Sequence, residues 1–229
     1  MKVCVIHSIF PPFSRGGAEQ VAFATASAFA DAGYDVTVIT CAPFEGGKNF
    51  AGRWEEMEKM RVFRFTPLNL FTIFNIGKYP ALLRAIWHIV DMFNFHSYLV
   101  VKKILQREKP DLIITRNLKG LGYTVPLAIR RYMLHATCYT PKWFHGLHDL
   151  GALHPRGFME WGSEGAVRKP IWFVRLYRAC ARRLFGSPHV VIAPSQFVLD
   201  EFERAKFFPK SKKVVVGNPV VTYPSPPPQ

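Results

Sequence analysis

The first 40 residues contain two short apolar runs separated by one amphipathic segment. The runs at 2–7 and 35–40 are rich in Val and Ile, as buried parallel strands are. Between Ala18 and Ala32 apolar residues recur at helical spacing, and Gly33 supplies a C-terminal stop signal. A strand, a helix and a second strand in this order form a right-handed βαβ unit. The opening therefore predicts an α/β domain built on a parallel sheet.

The same alternation continues along the chain. Apolar runs predict further strands at 61–65, 111–115, 141–147, 190–193 and 213–216, and helical spacing predicts helices within 68–107, 121–132, 165–185 and 195–204. We expect one Rossmann-like, doubly wound parallel sheet over residues 1–221, with helices on both faces. Residues 222–229 are rich in proline and cannot continue a sheet, so we expect a linker or a frayed end there.

Composition restricts the partners and the compartment. The chain has 30 Lys and Arg against 16 Asp and Glu, a net charge of +14, which favours nucleic acid, anionic lipid or a phosphorylated ligand. No helix-turn-helix, zinc or RNA-recognition signature is present, so we expect no nucleic-acid partner. The four cysteines lack metal-binding spacing, and no apolar run reaches the roughly 18 residues of a membrane span. We expect a cytoplasmic protein, soluble or held peripherally on the inner face of the membrane.

The loop between the first strand and the first helix is a candidate phosphate site. It contains Gly16 and Gly17 and lies at the carboxyl end of the sheet, where open α/β sheets bind ligands. Residues without side chains let a ligand approach the backbone, and a helix N-terminus attracts anions. A tight turn that needs two glycines explains the same pair, and the spacing alone does not decide between the two.

His148 and Asp149 follow the strand predicted at 141–147, so they also belong at the carboxyl end of the sheet. A histidine there can donate a hydrogen bond to a sugar hydroxyl or stabilise charge at a reacting carbon. The alternative is a structural histidine paired with the backbone. His145 and His154 lie close in sequence, but their spacing does not fit a metal site and they have no cysteine partners, so we expect no metal.

Four arginines recur in the helix predicted at 165–185. They are Arg168, Arg175, Arg178 and Arg182, and their spacing predicts one basic stripe with apolar and aromatic residues elsewhere on the helix. Such a stripe suits an anionic membrane surface or a phosphorylated acceptor. A solvated helix face is the alternative.

Four segments, in order along the chain, resemble one family. The loop Pro11-Pro-x-x-x-Gly-Gly-Ala-Glu19 and the segment 31–40 are similar to the opening of glycosyltransferase family 4. His148-Asp-Leu150, followed by His154-Pro-Arg-Gly157, is also similar to that family. The segments 191–197 and 214–221 resemble the end of its first domain, with Ser195 in position to cap the helix that it opens.

The resemblance implies the N-terminal half of a GT-B enzyme, which has two Rossmann-like domains and a cleft between them. Such enzymes transfer a sugar from a nucleotide diphosphate sugar with retention of configuration, using neither metal nor cofactor. The N-terminal domain mainly holds the acceptor, here a cell-envelope, lipid-linked or polysaccharide molecule. Gly16 and Gly17 would approach the donor diphosphate, with Arg15 as a further candidate. His148 would contact the donor sugar near the reaction centre, with Asp149 beside it.

The sequence also departs from the family pattern. Asn218-Pro-Val-Val stands where Asn-Gly-Val-Asp is usual, and no two glutamates are eight positions apart, as they are in the family's C-terminal domain. We therefore expect a truncated enzyme whose missing partner is a C-terminal Rossmann-like domain, so that this chain alone lacks a complete active site. Two alternatives remain: a stand-alone nucleotide- or phosphate-binding module without catalysis, and a peripheral membrane protein without chemistry.

Overall fold

The computed structural model describes residues 1–13, 16–136, 140–159 and 164–219. Eight strands form one sheet: β1 (Lys2–Ile6), β2 (Asp35–Cys41), β3 (Arg53–Met57), β4 (Met60–Phe65), β5 (Leu112–Thr115), β6 (Lys142–Gly146), β7 (Val190–Ala193) and β8 (Lys212–Val215). The helices are α1 (Gly17–Asp31), a 3-10 helix (Ile73–Lys78), α2 (Ala81–Met92), α3 (Phe95–Glu108), α4 (Thr124–His135), α5 (Gly165–Arg168), α6 (Trp172–Phe185) and α7 (Gln196–Arg204). The proline-rich end predicted at 222–229 lies outside the described residues.

The strand order is β3-β4-β2-β1-β5-β6-β7-β8, and every neighbouring pair is parallel except β3 and β4. From β1 the chain builds outward through β2 to the β3–β4 hairpin, then returns to place β5 against the other side of β1. The predicted doubly wound parallel sheet is confirmed. The strands added after β1 extend the sheet to one side, and those from β5 onward extend it to the other. This switch point between the parallel strands β1 and β5 creates a crevice at their carboxyl ends, where sheets of this kind bind ligands.

Alternating side chains of the central strands cover both faces of the sheet. Val3 and Val5 of β1 pack in one apolar cluster together with small residues of α1. Cys4 and Ile6 point to the opposite face and join a larger cluster that includes residues of α3, α4 and α6. Two buried faces explain why these strands are apolar at nearly every position.

The β3–β4 hairpin was not predicted, because the strand prediction began only at residue 61. Strand β3 lies at the sheet edge and contains Arg53, Glu55 and Glu56, so it lacks the apolar run that marks a central strand. Glu58, in the connecting turn, has a positive φ of 53°.

The prediction of one continuous helix over 165–185 is wrong. It is interrupted at residues 169–171, between α5 and α6. Pro170 has no backbone N–H to donate and disfavours helical geometry in the residue before it, and Lys169 accordingly leaves the helical region with φ −123° and ψ 64°. Arg168 therefore lies on a different helix from Arg175, Arg178 and Arg182, and the four do not form a single helical stripe.

Candidate active site at the carboxyl end of the sheet

The two glycines of the candidate phosphate loop lie at the start of α1. Gly16 is extended (φ −159°) and Gly17 is the first helical residue, so neither has a positive φ that would require glycine. A Cβ added to Gly17 would meet nothing within 4 Å, and one added to Gly16 would meet only a side-chain oxygen of Glu19 at 3.2 Å. The backbone at Gly17 therefore faces open space. Arg15, the third predicted member of this site, lies outside the described residues.

A buried arginine holds the first part of this loop, which follows strand β1. Arg64 of β4 has no exposed side-chain surface and donates hydrogen bonds to the backbone carbonyls of Phe10 (3.3 Å) and Pro11. Its charge is balanced by Glu55 at 2.6 Å. Burial raises the pKa of Glu55, but the hydrogen bonds from Arg64 and Arg53 outweigh it, so the pKa lies below its ordinary value. The loop is thus fixed to the sheet by charge-assisted hydrogen bonds.

Arg116 and His148 meet at the crevice from neighbouring strands. Arg116 follows β5 and donates through Nη1 to Nε2 of His148, which lies two residues beyond β6. Its other terminal nitrogen donates to Oγ1 of Thr25 on α1 at 2.8 Å. The contact therefore ties together the ends of two strands and the helix that begins at the glycine loop.

Burial and this contact together set the protonation of His148. Burial, followed by the nearby charge of Arg116, lowers the pKa of His148 to about 4. The ring is therefore neutral at neutral pH, and Nε2 acts as the acceptor of the Arg116 bond. The single ring proton is left on Nδ1, so His148 can donate one hydrogen bond to a bound molecule.

Two further histidines lie beneath this pair and are buried. His145 contacts Oγ1 of Thr115 through Nδ1 at 2.9 Å, and Trp143 donates to the same hydroxyl at 2.8 Å. His7 contacts the backbone oxygen of Ile9 through Nδ1 at 2.7 Å. Burial lowers the pKa of His7 and of His145 to about 3, so both are neutral supports for the crevice floor.

Three buried polar atoms at the crevice have no hydrogen-bond partner within the described chain. They are Nε2 of His7, Oγ of Ser8 and Nε of Arg116. Buried polar atoms are paired in the great majority of folded proteins, so unpaired ones call for a water or a ligand. A cavity of about 20 Å³ beside Arg116 and His148 is large enough for one water.

Asp149 is close to His148 in sequence but has a different local role. Its Oδ1 accepts a hydrogen bond from the backbone N–H of Gly151 at 2.8 Å, which closes a tight turn. Burial raises the pKa of Asp149, although the Gly151 N–H and the nearby Lys119 charge act against that rise. Lys119 also donates to the carbonyl of Pro155 at 3.2 Å, which attaches this loop to the end of β5.

The four predicted basic-surface arginines all donate within the chain. Arg168 donates to Glu201 at 2.8 Å and Arg175 to the carbonyl of Pro170 at 2.9 Å. Arg178 donates to the carbonyls of Leu153 (3.1 Å) and Val167 (2.7 Å), and Arg182 to that of Ala205 (3.4 Å). These bonds hold the interrupted helix against its surroundings.

Sequence reasoning missed Arg116, Arg64 and Lys119. The signal for Arg116 was its position directly after a predicted strand at the carboxyl end of the sheet, and Lys119 follows in the same loop. Arg64 carried no such signal, because a charged residue inside an apolar run indicates nothing about its partner.

Among the described residues no three His, Cys, Asp or Glu side chains are placed to hold a metal ion.

An open concavity of about 580 Å³ lies at the opposite end of the sheet. Its lining includes Lys2, Gly33, Asp35, Lys109 and Asp111 at the amino ends of the strands. None of the paired or buried groups described above lines it.

Within the described ranges, no helix combines the length and the apolar character needed to cross a bilayer.

Strand order and helix placement together define an α/β domain of the doubly wound, Rossmann-like class. Residues 15–222 match the sequence profile of Glycosyltransferase Family 4. The chain belongs to this family.

Individual comparisons show what share of each similar protein the chain covers. An uncharacterised 42.6 kDa protein in the cps region of Klebsiella pneumoniae is 23% identical over 221 residues, covering 96% of this chain and 56% of that protein. Sucrose-phosphate synthase from Thermosynechococcus elongatus superimposes with a TM-score of 0.59 at 16% identity, covering 94% of this chain and 47% of that one.

A trehalose-6-phosphate protein from E. coli, solved bound with UDP-2-fluoro glucose, has a TM-score of 0.53 at 11% identity, over 90% of this chain and 42% of the other. At these identities the structural likeness shows the fold alone, which is that of the N-terminal Rossmann-like domain of GT-B glycosyltransferases. The chain spans about half the length of the relatives that it matches.

Proposed function

We propose that this chain forms the acceptor-side wall of a retaining glycosyltransferase site. The complete site would transfer a sugar from a nucleotide diphosphate sugar to a cell-envelope, lipid-linked or polysaccharide acceptor. The observation that carries the proposal is the Arg116–His148 contact at the switch point between β1 and β5, beside the start of α1. Family membership supplies the reaction class.

The proposed roles follow from the chemistry of each group. Neutral His148 donates from Nδ1 to a hydroxyl of the donor sugar, while Arg116 fixes its ring and adds positive charge near the departing diphosphate. The open backbone at Gly17 lets the diphosphate approach the first turn of α1, where unpaired N–H groups favour an anion. Asp149 holds the turn that follows His148 and acts as a positioning residue.

Turnover is proposed to need residues that this chain does not contain, because it spans about half of its relatives and no two of its glutamates are eight positions apart. The test is incubation of the 229-residue chain with labelled nucleotide sugars and envelope lipid extracts. We expect no sustained release of nucleoside diphosphate and no labelled product. Robust turnover by this chain alone would overturn the half-site proposal, and the His148→Ala variant would then show whether that turnover uses the described crevice.

A further inference from the structure

Helix α2 exposes its apolar face. Its outward-facing residues recur at helical spacing and include side chains with large exposed fractions: Leu82 (73%), Leu83 (40%), Ile86 (42%), Ile89 (60%), Val90 (37%) and Phe93 (51%), the last directly after the helix. We call these six residues the α2 stripe. A surface helix of a globular protein normally turns such a stripe toward the core.

The face of α2 that packs against the protein contains Trp87, Asp91 and Met92. Asp91 is buried and accepts hydrogen bonds from the backbone N–H of Gly120 at 3.0 and 3.1 Å. Trp87 is also buried on this side and donates to the carbonyl of Phe71 at 2.6 Å. These contacts fix the orientation of the helix, so the α2 stripe cannot turn inward without breaking them.

Neighbouring segments extend the apolar surface. Leu68 and Phe95 are both exposed, and Asn94, which lies next to Phe95, donates from its side chain to the carbonyl of Leu68 at 2.9 Å. Asn69 donates to the carbonyl of Trp87 at 3.3 Å, which places residues 68–70 beside α2. A contiguous exposed patch of this kind marks an interaction surface.

The charges around the α2 stripe identify its partner. Between Pro67 and Arg107 the sequence contains five Lys or Arg and a single acidic residue, the buried Asp91. Lys78 is exposed three residues before α2, and Arg84 is exposed in its first turn. An apolar stripe bordered by basic residues and free of exposed acids complements a lipid surface with anionic headgroups.

We propose that the α2 stripe inserts into the interfacial layer of an anionic membrane. The leucine, isoleucine and phenylalanine side chains enter the acyl boundary while Lys78 and Arg84 contact headgroup phosphates. The α2 stripe thus takes the role that the sequence had suggested for the arginines near 168–182, whose guanidinium groups donate within the chain. The proposal does not depend on sugar transfer, since membrane binding is measured without donor or product.

The test is sedimentation of the 229-residue chain with phosphatidylcholine vesicles, with and without phosphatidylglycerol. We expect binding to the anionic vesicles that weakens with added salt. Leu82→Asp should weaken it by at least about tenfold, because one buried leucine side chain is lost and a charge is placed in the interface. Leu134→Asp on α4 is the matched control, since Leu134 is also highly exposed (77%), and it should bind as the original chain does.

Ile89→Asp is a second variant in the α2 stripe and should behave like Leu82→Asp. Circular dichroism checks that each variant keeps its helix content. Equal binding of Leu82→Asp, Ile89→Asp and Leu134→Asp would overturn the proposal, as would absence of binding to anionic vesicles. Light scattering checks for self-association. If the chain is a dimer and Leu82→Asp is a monomer, the proposal is overturned, because a second copy of the chain would then occupy the α2 stripe.

Discussion

Arg116 donates a hydrogen bond to Nε2 of His148 across the carboxyl ends of strands β5 and β6. The contact joins a permanent cation to a ring that must stay neutral to accept the bond. It therefore determines both where the histidine points and which nitrogen carries its proton. In the proposed site the same contact positions a hydrogen-bond donor and a positive charge next to the glycine loop.

Replacing Arg116 by Met should raise the pKa of His148. Burial and the Arg116 charge together lower that pKa to about 4, and removing a like charge favours the protonated ring. The pKa should remain below its ordinary value because the burial persists. An NMR titration of the His148 ring measures it, with Arg130→Met as a control that removes an exposed arginine on α4. An unchanged or lower His148 pKa in Arg116→Met would show that the two side chains do not interact in solution.

The free energy of unfolding should fall steeply in mild acid. His7 and His145 are buried with pKa values of about 3, below the ordinary value of 6.5, so the unfolded chain takes up protons first as the pH drops. Their contribution is complete above the unfolded pKa and is lost as the pH falls toward the folded one. Each should cost about 1.4 kcal/mol per pH unit in this window. Buried Asp91, with its pKa raised to about 7, acts in the opposite direction and offsets part of this loss. Urea unfolding between neutral pH and pH ~4.5 measures the slope, and a flat profile would contradict the buried, neutral assignment.

Arg178→Met should destabilise the chain, whereas Arg183→Met on the same helix should not. Arg178 donates to the carbonyls of Leu153 and Val167, and its loss leaves partly buried carbonyl groups unpaired at a cost of about 1–3 kcal/mol. The Arg183 side chain is exposed. Thermal unfolding of both variants separates the two outcomes. Equal melting temperatures would mean that the arginines near 168–182 form a solvated face after all.

The central strands could be predicted from sequence because burial on both faces leaves a run of Val and Ile, as in β1 and β2. The edge strand β3 could not, since its charged residues Arg53, Glu55 and Glu56 leave no apolar run. Helical spacing predicted helices within 68–107 but not which face of α2 is buried, because Asp91 and Trp87 decide that through hydrogen bonds to Gly120 and Phe71. The break at Pro170 was readable from local sequence and was overlooked.

The candidate site was predicted in part. Position after a strand was enough to select His148 and the glycine loop as candidates. Ser195 caps its helix as expected, since its side chain accepts a hydrogen bond from the N–H of Val198 at 3.4 Å. The partner of His148 could not be selected, because pairing Arg116 with it requires the order of β5 and β6 in the sheet. Assignment of these residues to donor contacts stays a prediction.

The most direct test of the proposed site is an NMR titration of the labelled chain with nucleotide diphosphate sugars, followed through backbone amide shifts, which detect weak binding. We expect shifts that cluster at Gly17, Arg116 and His148, and their loss in Gly17→Val. That variant should keep the fold, because a Cβ at this position would meet nothing within 4 Å. Shifts confined to the opposite concavity at Lys2, Lys109 and Asp111, or equal shifts in Gly17→Val, would contradict the proposed site.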